Sequence, residues 1–175
     1  MISKKVDLAI REVPNFPKSG INFKDITSLL LDPQLSSEII DNFVQRLKGE
    51  KVDAIVGVES RGFLFGFSLA NKMGIPFIPI RKVGKLPLET IKCKYDLEYG
   101  SAEVEVHKSD IKKGWNIVVH DDLLATGGTA CAAAELITEL GAKVFAFTFV
   151  ISLDFLNGDE RLKKYAEKII TLKRY

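Results

Sequence analysis

The chain has 175 residues, of which 46% are hydrophobic and 27% are charged, and its formal net charge at pH 7 is +2. This length favours a single domain with a full hydrophobic core, and the composition argues against general disorder. So small a net charge gives no reason to expect a nucleic-acid-binding surface, which would need a concentrated basic patch.

The N-terminal part of the chain predicts two helices joined by a segment rich in proline and glycine. A helix over about residues 3–11 leads into VPNFPKSGINFKD, and DPQLSSEIIDNFVQRLKG then has apolar residues at helical spacing before the stop signal Gly49. The opening residues MISKKVDLAIREV contain lysines but no long apolar stretch. We therefore expect no signal peptide and a cytoplasmic location.

Residues 52–80 have the pattern of a strand, a helix and a second strand. VDAIVGV (52–58) and IPFIPI (75–80) are typical of buried strands, and RGFLFGFSLANKMG between them predicts a helix that ends at Gly74. A long charged connection then leads to SAEVEVH (101–107), whose alternation is typical of a half-exposed strand.

The second half of the chain repeats this order. WNIVVHD and AKVFAFTFVISL are typical of buried strands, and GTACAAAELITELG between them predicts a helix closed by Gly141. Strands that alternate with helices favour an α/β fold, in which a mostly parallel, twisted sheet is flanked by helices. We find no linker, so we expect a single domain over residues 1–175, with ligands bound beyond the carboxyl ends of the strands.

The stretch VVHDDLLATGGTA (118–130) places a glycine-rich loop between a predicted strand and a predicted helix. Gly127 and Gly128 would let backbone amides turn towards an anion, and Thr126 and Thr129 add hydroxyl donors. The start of the helix adds a partial positive charge. The loop therefore suits a phosphate, although a plain strand-to-helix turn is an alternative explanation of the loop alone.

Two adjacent carboxylates, Asp121 and Asp122, precede this loop, and we expect both to lie at a solvent-facing strand end. Like charges at the end of a strand repel each other, and carboxylates beside a phosphate site would weaken it. They are understandable if the same ligand also presents hydroxyl groups or a metal ion. A sugar phosphate has both features, with its phosphate at the loop and its ribose diol at the aspartates.

The turn GVESRG brings Glu59, Ser60 and Arg61 to the end of another predicted strand. An arginine can donate two hydrogen bonds to phosphate oxygens, and a turn offers backbone amides. An ordinary strand-to-helix turn is the alternative. GVESRGFL is not a Walker A loop, because Phe63 and Leu64 stand where lysine and serine or threonine are required, and no GxGxxG follows a predicted strand.

The connection RKVGKLPLETIKCKYDLEYG (81–100) is long and basic. A solvated hairpin would explain its composition. A loop of this length in a compact domain is nevertheless uncommon unless it has a function, and many such loops are lids. Arg81, Lys82 and Lys85 could then hold an anionic leaving group.

The segment GINFK near the N-terminus is a candidate for contact with a flat, aromatic ligand. The ring of Phe23 can stack on a base, and the neighbouring backbone can read the edge of that base through hydrogen bonds. Packing in the core is the alternative explanation for Phe23.

At these residues the sequence resembles a known family, the type I phosphoribosyltransferases. The resemblance extends over nearly the whole chain through FPKSGINFKDIT, GVESRGFLFG, RKVGKLP, YDLEYG and DDLLATGGT, in this order. The string DDLLATGGT resembles the adenine-specific branch of that family. One departure is His120, where an apolar strand residue is expected, and a core histidine is a better explanation for it than a catalytic one.

The resemblance implies transfer of the phosphoribosyl group from phosphoribosyl pyrophosphate (PRPP) to adenine, which gives AMP and pyrophosphate. It also implies a small N-terminal hood (about residues 1–34), a flexible lid loop (81–100), a homodimer, and Mg²⁺ bound mainly through PRPP. No metal site built from protein side chains alone is predicted. Cys93 and Cys131 have no metal-like spacing, and we expect free thiols.

The resemblance assigns the residues of these motifs to two groups of contacts. The expected contacts with PRPP and AMP are Glu59, Ser60, Arg61, Arg81, Lys82, Lys85, Tyr99, Asp121, Asp122, Ala125, Thr126, Gly127, Gly128 and Thr129. The expected contacts with adenine are Asn22, Phe23, Lys24 and Leu123, although the family more often has arginine at the position of Lys24. A cis peptide bond is expected between Glu59 and Ser60.

Glu98 of YDLEYG is the candidate catalytic residue. By resemblance, it faces the imidazole side of the purine. The 6-oxopurine enzymes of the wider family carry an aspartate at the position of Ala125, which acts as acid and base near N7. Because Ala125 cannot do this, another carboxylate is required, and we expect Glu98 to be that residue.

Two alternatives to an adenine enzyme stay open at this point. One is a relative specific for xanthine or hypoxanthine, and the other is a non-catalytic regulator that senses PRPP. We find no appended DNA-binding domain, and a lid that includes Glu98 favours catalysis over sensing. No membrane or nucleic-acid partner is expected.

Overall fold

The computed structural model describes residues 1–16, 18–96 and 100–175. The helices are α1 (Ile2–Ala9), α2 (Pro33–Leu47), α3 (Gly62–Met73), α4 (Gly128–Glu139) and α5 (Gly158–Leu162), with 3-10 helices at Ile26–Leu31 and Asp154–Leu156. The strands are β1 (Arg11–Pro14), β2 (Asn22–Asp25), β3 (Ala54–Val58), β4 (Phe77–Lys82), β5 (Thr90–Asp96), β6 (Ser101–His107), β7 (Asn116–Leu124), β8 (Lys143–Ser152) and β9 (Lys168–Arg174). In the part of the chain described, no helix combines the length and apolar character needed to cross a membrane.

The described strands form a seven-stranded sheet in the order β5-β6-β4-β3-β7-β8-β9, and β1 and β2 form a separate antiparallel hairpin. The five strands from β4 to β9 in this order are parallel, whereas β6 and β5 are antiparallel at one edge. This confirms the predicted α/β fold with a mostly parallel sheet flanked by helices. The small hairpin of β1 and β2 lies outside this sheet, in the N-terminal part of the chain.

The position of the candidate site follows from the strand order. From β3 the chain continues to β4, its neighbour on one side in the sheet. On the other side of β3 lie β7, β8 and β9, in this order. The carboxyl ends of β3 and β7 therefore flank a topological switch point, where open α/β sheets bind their ligands. The turns after these two strands are residues 59–61 and 125–127, which the sequence predicted to bind phosphates.

Apolar side chains on both faces of the sheet form the core. One face is covered by α4, and the opposite face is covered by α1, α2 and α3. All five residues of β3 are buried, which explains why this strand is a continuous apolar run in the sequence. Helix α2 begins where expected, because the Asp32 side chain accepts a hydrogen bond from the N–H of Leu35 (3.0 Å) and Pro33 occupies the first turn.

The expectation of a continuous loop over residues 81–100 is wrong for residues 90–96. These residues form β5, which pairs with β6 along its whole length. Ile91, Cys93 and Tyr95 pack against the core beside α4, whereas Lys92 and Lys94 are exposed. The strand escaped prediction because residues 90–96 lie within one long charged connection, although Ile91, Cys93 and Tyr95 alternate with polar residues as in a half-exposed strand.

Five other elements differ from the sequence-based expectations. The proline- and glycine-rich segment contains the hairpin of β1 and β2, whose strands have only four residues each. The strand predicted to end at Asp121 continues to Leu124, because β7 pairs with β8 as far as Ser152. Helix α5 and strand β9 were not predicted.

His120 is a core histidine, as expected. Its side chain is fully buried, its Nδ1 lies 2.9 Å from the Thr148 hydroxyl, and its ring meets Phe43 edge-on. Burial lowers the pKa of His120 to about 3, so the imidazole is neutral at physiological pH. This residue therefore has no access to a ligand at the edge of the sheet.

Candidate active site

The glycine-rich loop between β7 and α4 has the geometry of an anion site. Gly127 adopts a φ of +80°, in the left-handed region that favours glycine, and immediately precedes α4. Its carbonyl accepts the first helical hydrogen bond, from the N–H of Cys131 (2.9 Å). The amides of the first helical turn have no acceptor within the helix, so they are available to a bound anion.

Helix α5 supports this loop from behind, in a contact that was not predicted from the sequence. A Cβ at Gly158 would lie 2.3 Å from the carbonyl oxygen of Ala125, so only glycine permits this close packing. Arg161 donates a hydrogen bond from Nη1 to the carbonyl oxygen of Thr126 (3.2 Å). The Asn157–Gly158 pair is a turn signal that could have indicated a new element at this point.

Asp121 and Asp122 lie at the switch point, next to the loop. Oδ1 of Asp121 accepts a hydrogen bond from the N–H of Asp122 (2.8 Å). The side chain of Asp122 is only 4% exposed, and its Oδ2 lies 3.0 Å from Nε of Arg61. The expectation that both aspartates face solvent is therefore wrong for Asp122, because the strand continues past it and Arg61 covers it.

The electrostatic state of this pair is unusual. Burial, together with the neighbouring charge of Asp122, raises the pKa of Asp121 well above its ordinary value. Oδ2 of Asp122 is buried and, despite the nearby Arg61, receives no hydrogen bond from the described residues. Arg61 stabilises this oxygen by its charge alone, so the oxygen can still accept a hydrogen bond from a ligand hydroxyl group.

The turn after β3 connects the aspartates to the basic segment after β4. The peptide bond between Glu59 and Ser60 is cis, as expected. Glu59 accepts hydrogen bonds from the N–H of Lys82 (2.7 Å) and from Nε of Arg81 (3.1 Å). Burial raises the pKa of Glu59, but these two bonds outweigh it and leave the pKa below its ordinary value.

The hood reaches this same site through Phe23. The guanidinium of Arg61 lies 6.0 Å from the centre of the Phe23 ring, and Phe16 meets that ring edge-on at 5.2 Å. Leu123 directly follows Asp122 in β7 and is half-buried. The structure thus brings the hood ring, Arg61 and the acidic pair together, and each is exposed enough to meet a ligand except Asp122.

The side chains of Asn22 and Lys24 are engaged within the hood. Asn22 donates a hydrogen bond to Glu12 (2.9 Å), and Lys24 forms an ion pair with the same carboxylate. The Lys24 ammonium also lies 4.1 Å from the centre of the Tyr175 ring. Contact of these two residues with adenine stays a prediction.

Two of the predicted site residues, Glu98 and Tyr99, lie outside the described residues. Asp96, the last described residue before them, lies beside the glycine-rich loop, because a Cβ at Gly128 would lie 3.2 Å from its carbonyl oxygen. Among the described residues, no group of three or more His, Cys, Asp or Glu side chains could hold a metal ion. Cys93 and Cys131 are free thiols, as expected.

Comparisons with known proteins give consistent matches. The sequence model of the phosphoribosyl transferase domain matches residues 26–174. The adenine phosphoribosyltransferase of Clostridium botulinum strain Hall is 53% identical over 156 residues, which cover 89% of this chain and 91% of that protein.

Two solved structures are similar to this chain over nearly all of its length. The Saccharomyces cerevisiae adenine phosphoribosyltransferase, complexed with an imino-altritol bisphosphate and adenine, has a TM-score of 0.91 and 42% identity, and 98% of each chain is covered. The Trypanosoma brucei adenine phosphoribosyltransferase, in complex with AMP, pyrophosphate and ribose 5-phosphate, has a TM-score of 0.89 and 29% identity. That match covers 99% of this chain and 79% of the other.

Proposed function

Since this chain belongs to the adenine phosphoribosyltransferase family, we infer that it transfers the phosphoribosyl group of PRPP to adenine, giving AMP and pyrophosphate. It is a transferase of purine salvage. The similar proteins from Clostridium botulinum, Saccharomyces cerevisiae and Trypanosoma brucei are all named for adenine, which favours that base over xanthine or hypoxanthine.

One observation supports this site above all. The glycine-rich loop of residues 125–129 and the acidic pair Asp121 and Asp122 lie side by side at the switch point of the sheet. We propose that the amides and hydroxyls of residues 125–129 bind the 5′-phosphate. The ribose hydroxyls then face Asp121 and Asp122. When Arg61, which covers Asp122, turns towards the pyrophosphate, one of these hydroxyls supplies the donor that Oδ2 of Asp122 lacks. This arrangement would fix the sugar relative to the base and the leaving group.

The acidic pair also has a role in the reaction itself. When the bond between the anomeric carbon and pyrophosphate breaks, positive charge develops on the ribose ring. Asp121 and Asp122 would stabilise this charge through the ribose hydroxyls, in a site where burial strengthens the interaction. Positive charge on the ribose would favour the ionised form of Asp121 and so oppose the burial that raises its pKa.

Negative charge on the departing pyrophosphate needs cations on the other side of the sugar. Arg61 lies 3.0 Å from Asp122, and Glu59 holds Arg81 and the backbone of Lys82 close to the same turn. We propose that Arg61, Lys82 and Lys85 interact with the pyrophosphate group. Arg81 would contribute at longer range, because its Nε already donates to Glu59.

Mg²⁺ is proposed to enter the site with PRPP. The residues of the site fit this, because Asp121 and Asp122 would orient the ribose hydroxyls, which together with the phosphate oxygens of PRPP are the oxygen ligands that Mg²⁺ prefers. When bound, the metal neutralises charge on the pyrophosphate leaving group. The two aspartates would hold it only indirectly, through the hydroxyl groups that they orient.

Adenine is proposed to lie between the ring of Phe23 and the side chain of Leu123. Glu98 would take the proton at the imidazole edge of the base as N9 attacks the ribose, which is a task that Ala125 cannot perform. Since residues 90–96 are a paired strand, only the remainder of the segment 81–100 would cover the site and exclude water, which otherwise hydrolyses the activated sugar. Closure of this lid stays a prediction.

A base-selection assay tests this function. The chain is incubated with PRPP, magnesium and either adenine, hypoxanthine, guanine or xanthine, and the nucleotide product is quantified by chromatography. We expect AMP to form rapidly and each 6-oxopurine to give a rate lower by about 10² or more, since a site built to hydrogen-bond one purine edge leaves buried groups unpaired with another. Faster turnover of hypoxanthine or xanthine, or no turnover of any base, would overturn the assignment.

We further propose that the chain is a homodimer that works in the cytoplasm. A groove of about 600 Å³ lies between α2 and α3, and its rim exposes Leu30, Leu64 and Phe67. Phe67 is 57% exposed although it is large and apolar. Apolar patches of this kind are typical of protein interfaces, and twofold symmetry would let the same face of two copies meet.

Replacing Phe67 by glutamate should convert the dimer into a monomer, because a charge would then be buried in the apolar interface. Sedimentation velocity at micromolar concentration measures the change. Phe155→Glu is the matched control, since Phe155 is 71% exposed but does not line the groove. A parent chain that sediments as a monomer, or a dimer that persists in Phe67→Glu, would exclude this interface.

A further inference from the structure

Glu105 of β6 is a buried carboxylate with an unusually complete set of hydrogen bonds. Only 2% of the residue is exposed. Its Oε1 accepts from the backbone N–H groups of Gly84 (2.8 Å), Lys85 (3.0 Å) and Leu86 (3.0 Å). Its Oε2 accepts from the Thr90 hydroxyl (3.0 Å). No role for this residue was predicted from the sequence.

Three successive amides that converge on one oxygen form a nest, which is a backbone concavity that binds anions. Here the nest lies in the turn after β4, within the basic segment, and the anion that fills it is the protein's own Glu105. Burial raises the pKa of Glu105, but the four hydrogen bonds outweigh it and leave the pKa below the ordinary value. The carboxylate is therefore ionised, and the amides of residues 84–86 are already occupied.

A second carboxylate holds the other end of the same segment. Glu59 binds the side chain of Arg81 and the N–H of Lys82. Residues 81–86 are thus fixed at both ends by carboxylates from neighbouring elements. Between these anchors the side chains of Lys82 and Lys85 are exposed, and neither ammonium group forms an ion pair with a described residue.

We propose that Glu105 is a positioning residue for pyrophosphate. By filling the nest, it fixes the basic turn so that Lys82 and Lys85 present their ammonium groups to the anion. It also prevents the turn amides from binding that anion in another place. This inference rests on the proposed function, and it adds that the turn recognises pyrophosphate through side chains and not through its backbone.

Glu105→Gln removes the charge while it keeps the shape of the side chain. We expect the inhibition constant of pyrophosphate and the KM of PRPP each to rise about tenfold, which is the typical effect of losing one charge-assisted hydrogen bond. The KM of adenine should stay within about twofold of the parent value, because the turn does not touch the base. Steady-state kinetics with product inhibition by magnesium pyrophosphate measures all three constants.

Gly84→Ala perturbs the same turn without altering a buried residue. Gly84 has a φ of +86°, which strains any other residue, but a Cβ there would meet no atom within 4 Å. We expect this variant to fold and to weaken pyrophosphate binding in the same direction as Glu105→Gln, again with adenine unaffected. If Glu105→Gln fails to fold, unchanged pyrophosphate inhibition in Gly84→Ala overturns the proposal.

Two control variants separate positioning from stability. Glu103→Gln removes an exposed charge from the same strand, and Thr90→Val removes the hydrogen bond to Oε2 without touching the nest. Both should keep the parent's pyrophosphate inhibition, although Thr90→Val should unfold at a lower urea concentration.

The proposal is overturned if Thr90→Val raises the inhibition constant of pyrophosphate as much as Glu105→Gln does. It is also overturned if Glu105→Gln leaves that constant within twofold of the parent value. An equal rise in the KM of adenine would also contradict it, because that pattern indicates general damage. A parent chain that makes no AMP contradicts the proposed function itself. The two failures are therefore distinguishable.

Discussion

Replacing Asp121 and Asp122 together by asparagine is expected to lower turnover by about 10²–10³ or more, the typical loss when groups that stabilise charge in the transition state are removed. Asparagine keeps the shape of each side chain but cannot balance the positive charge that develops on the ribose. The measurement is kcat with saturating PRPP and adenine, together with far-ultraviolet circular dichroism to confirm the fold.

The matched control for this double variant is Asp41→Asn. Asp41 is an exposed aspartate of α2 that pairs with Lys72 at the surface. This control should retain the parent's turnover. A double variant that stays within a few-fold of the parent would remove the acidic pair from the mechanism, whereas loss of the fold would identify the pair as structural.

The two single variants should affect stability in opposite directions. The folded protein raises the pKa of Asp121, so folding favours its protonated form, and the free energy of unfolding falls as the pH rises from the unfolded pKa through the folded one. Asp121→Asn removes this loss of stability, so at neutral pH the variant should unfold at a higher urea concentration than the parent. Asp122→Asn leaves Arg61 without its partner and should lower the midpoint.

Glu98→Gln is expected to reduce kcat by about 10²–10⁴, the usual contribution of general acid–base catalysis. Binding of PRPP should change little, because we propose that its phosphates contact residues 125–129 and Arg61. Adenine affinity should fall by about 1.5–3 kcal/mol at most, the value of one charge-assisted hydrogen bond. Steady-state kinetics in both substrates separates these effects, with Glu103→Gln as a control for the loss of a charge.

The outcomes for Glu98 have different meanings. An unchanged kcat with a higher KM for adenine would indicate that Glu98 only binds the base. If neither constant moves, the assignment of Glu98 is wrong. His120 is no substitute in that case, because its imidazole is fully buried beside Thr148.

The parts of the fold that could be predicted from the sequence are those in which burial imposes a pattern. Strand β3 is buried along its whole length, so its apolar run could be recognised, and the same holds for most of β8. The loops that follow β3 and β7 could be located from their glycine, threonine and arginine residues, and their binding of phosphate stays a prediction. These features depend on local sequence alone.

The parts that were missed depend on tertiary contacts. The alternation of SAEVEVH placed Glu105 on a half-exposed face, yet the turn at residues 84–86 folds over that face and buries the carboxylate. In the same way, Asp122 was expected at the surface, but Arg61 approaches it from the turn after another strand. Gly158 supports the phosphate loop although it belongs to α5, a separate element later in the chain. No local pattern indicates such contacts.

The most direct test of the proposed site is an experimental structure of this chain with AMP bound. We predict that the 5′-phosphate accepts hydrogen bonds from the amides of residues 126–129. A ribose hydroxyl should lie within about 3 Å of Oδ2 of Asp122, the distance of a normal hydrogen bond. AMP with its phosphate away from this loop, or with no ribose contact at either Asp121 or Asp122, would contradict the proposed site.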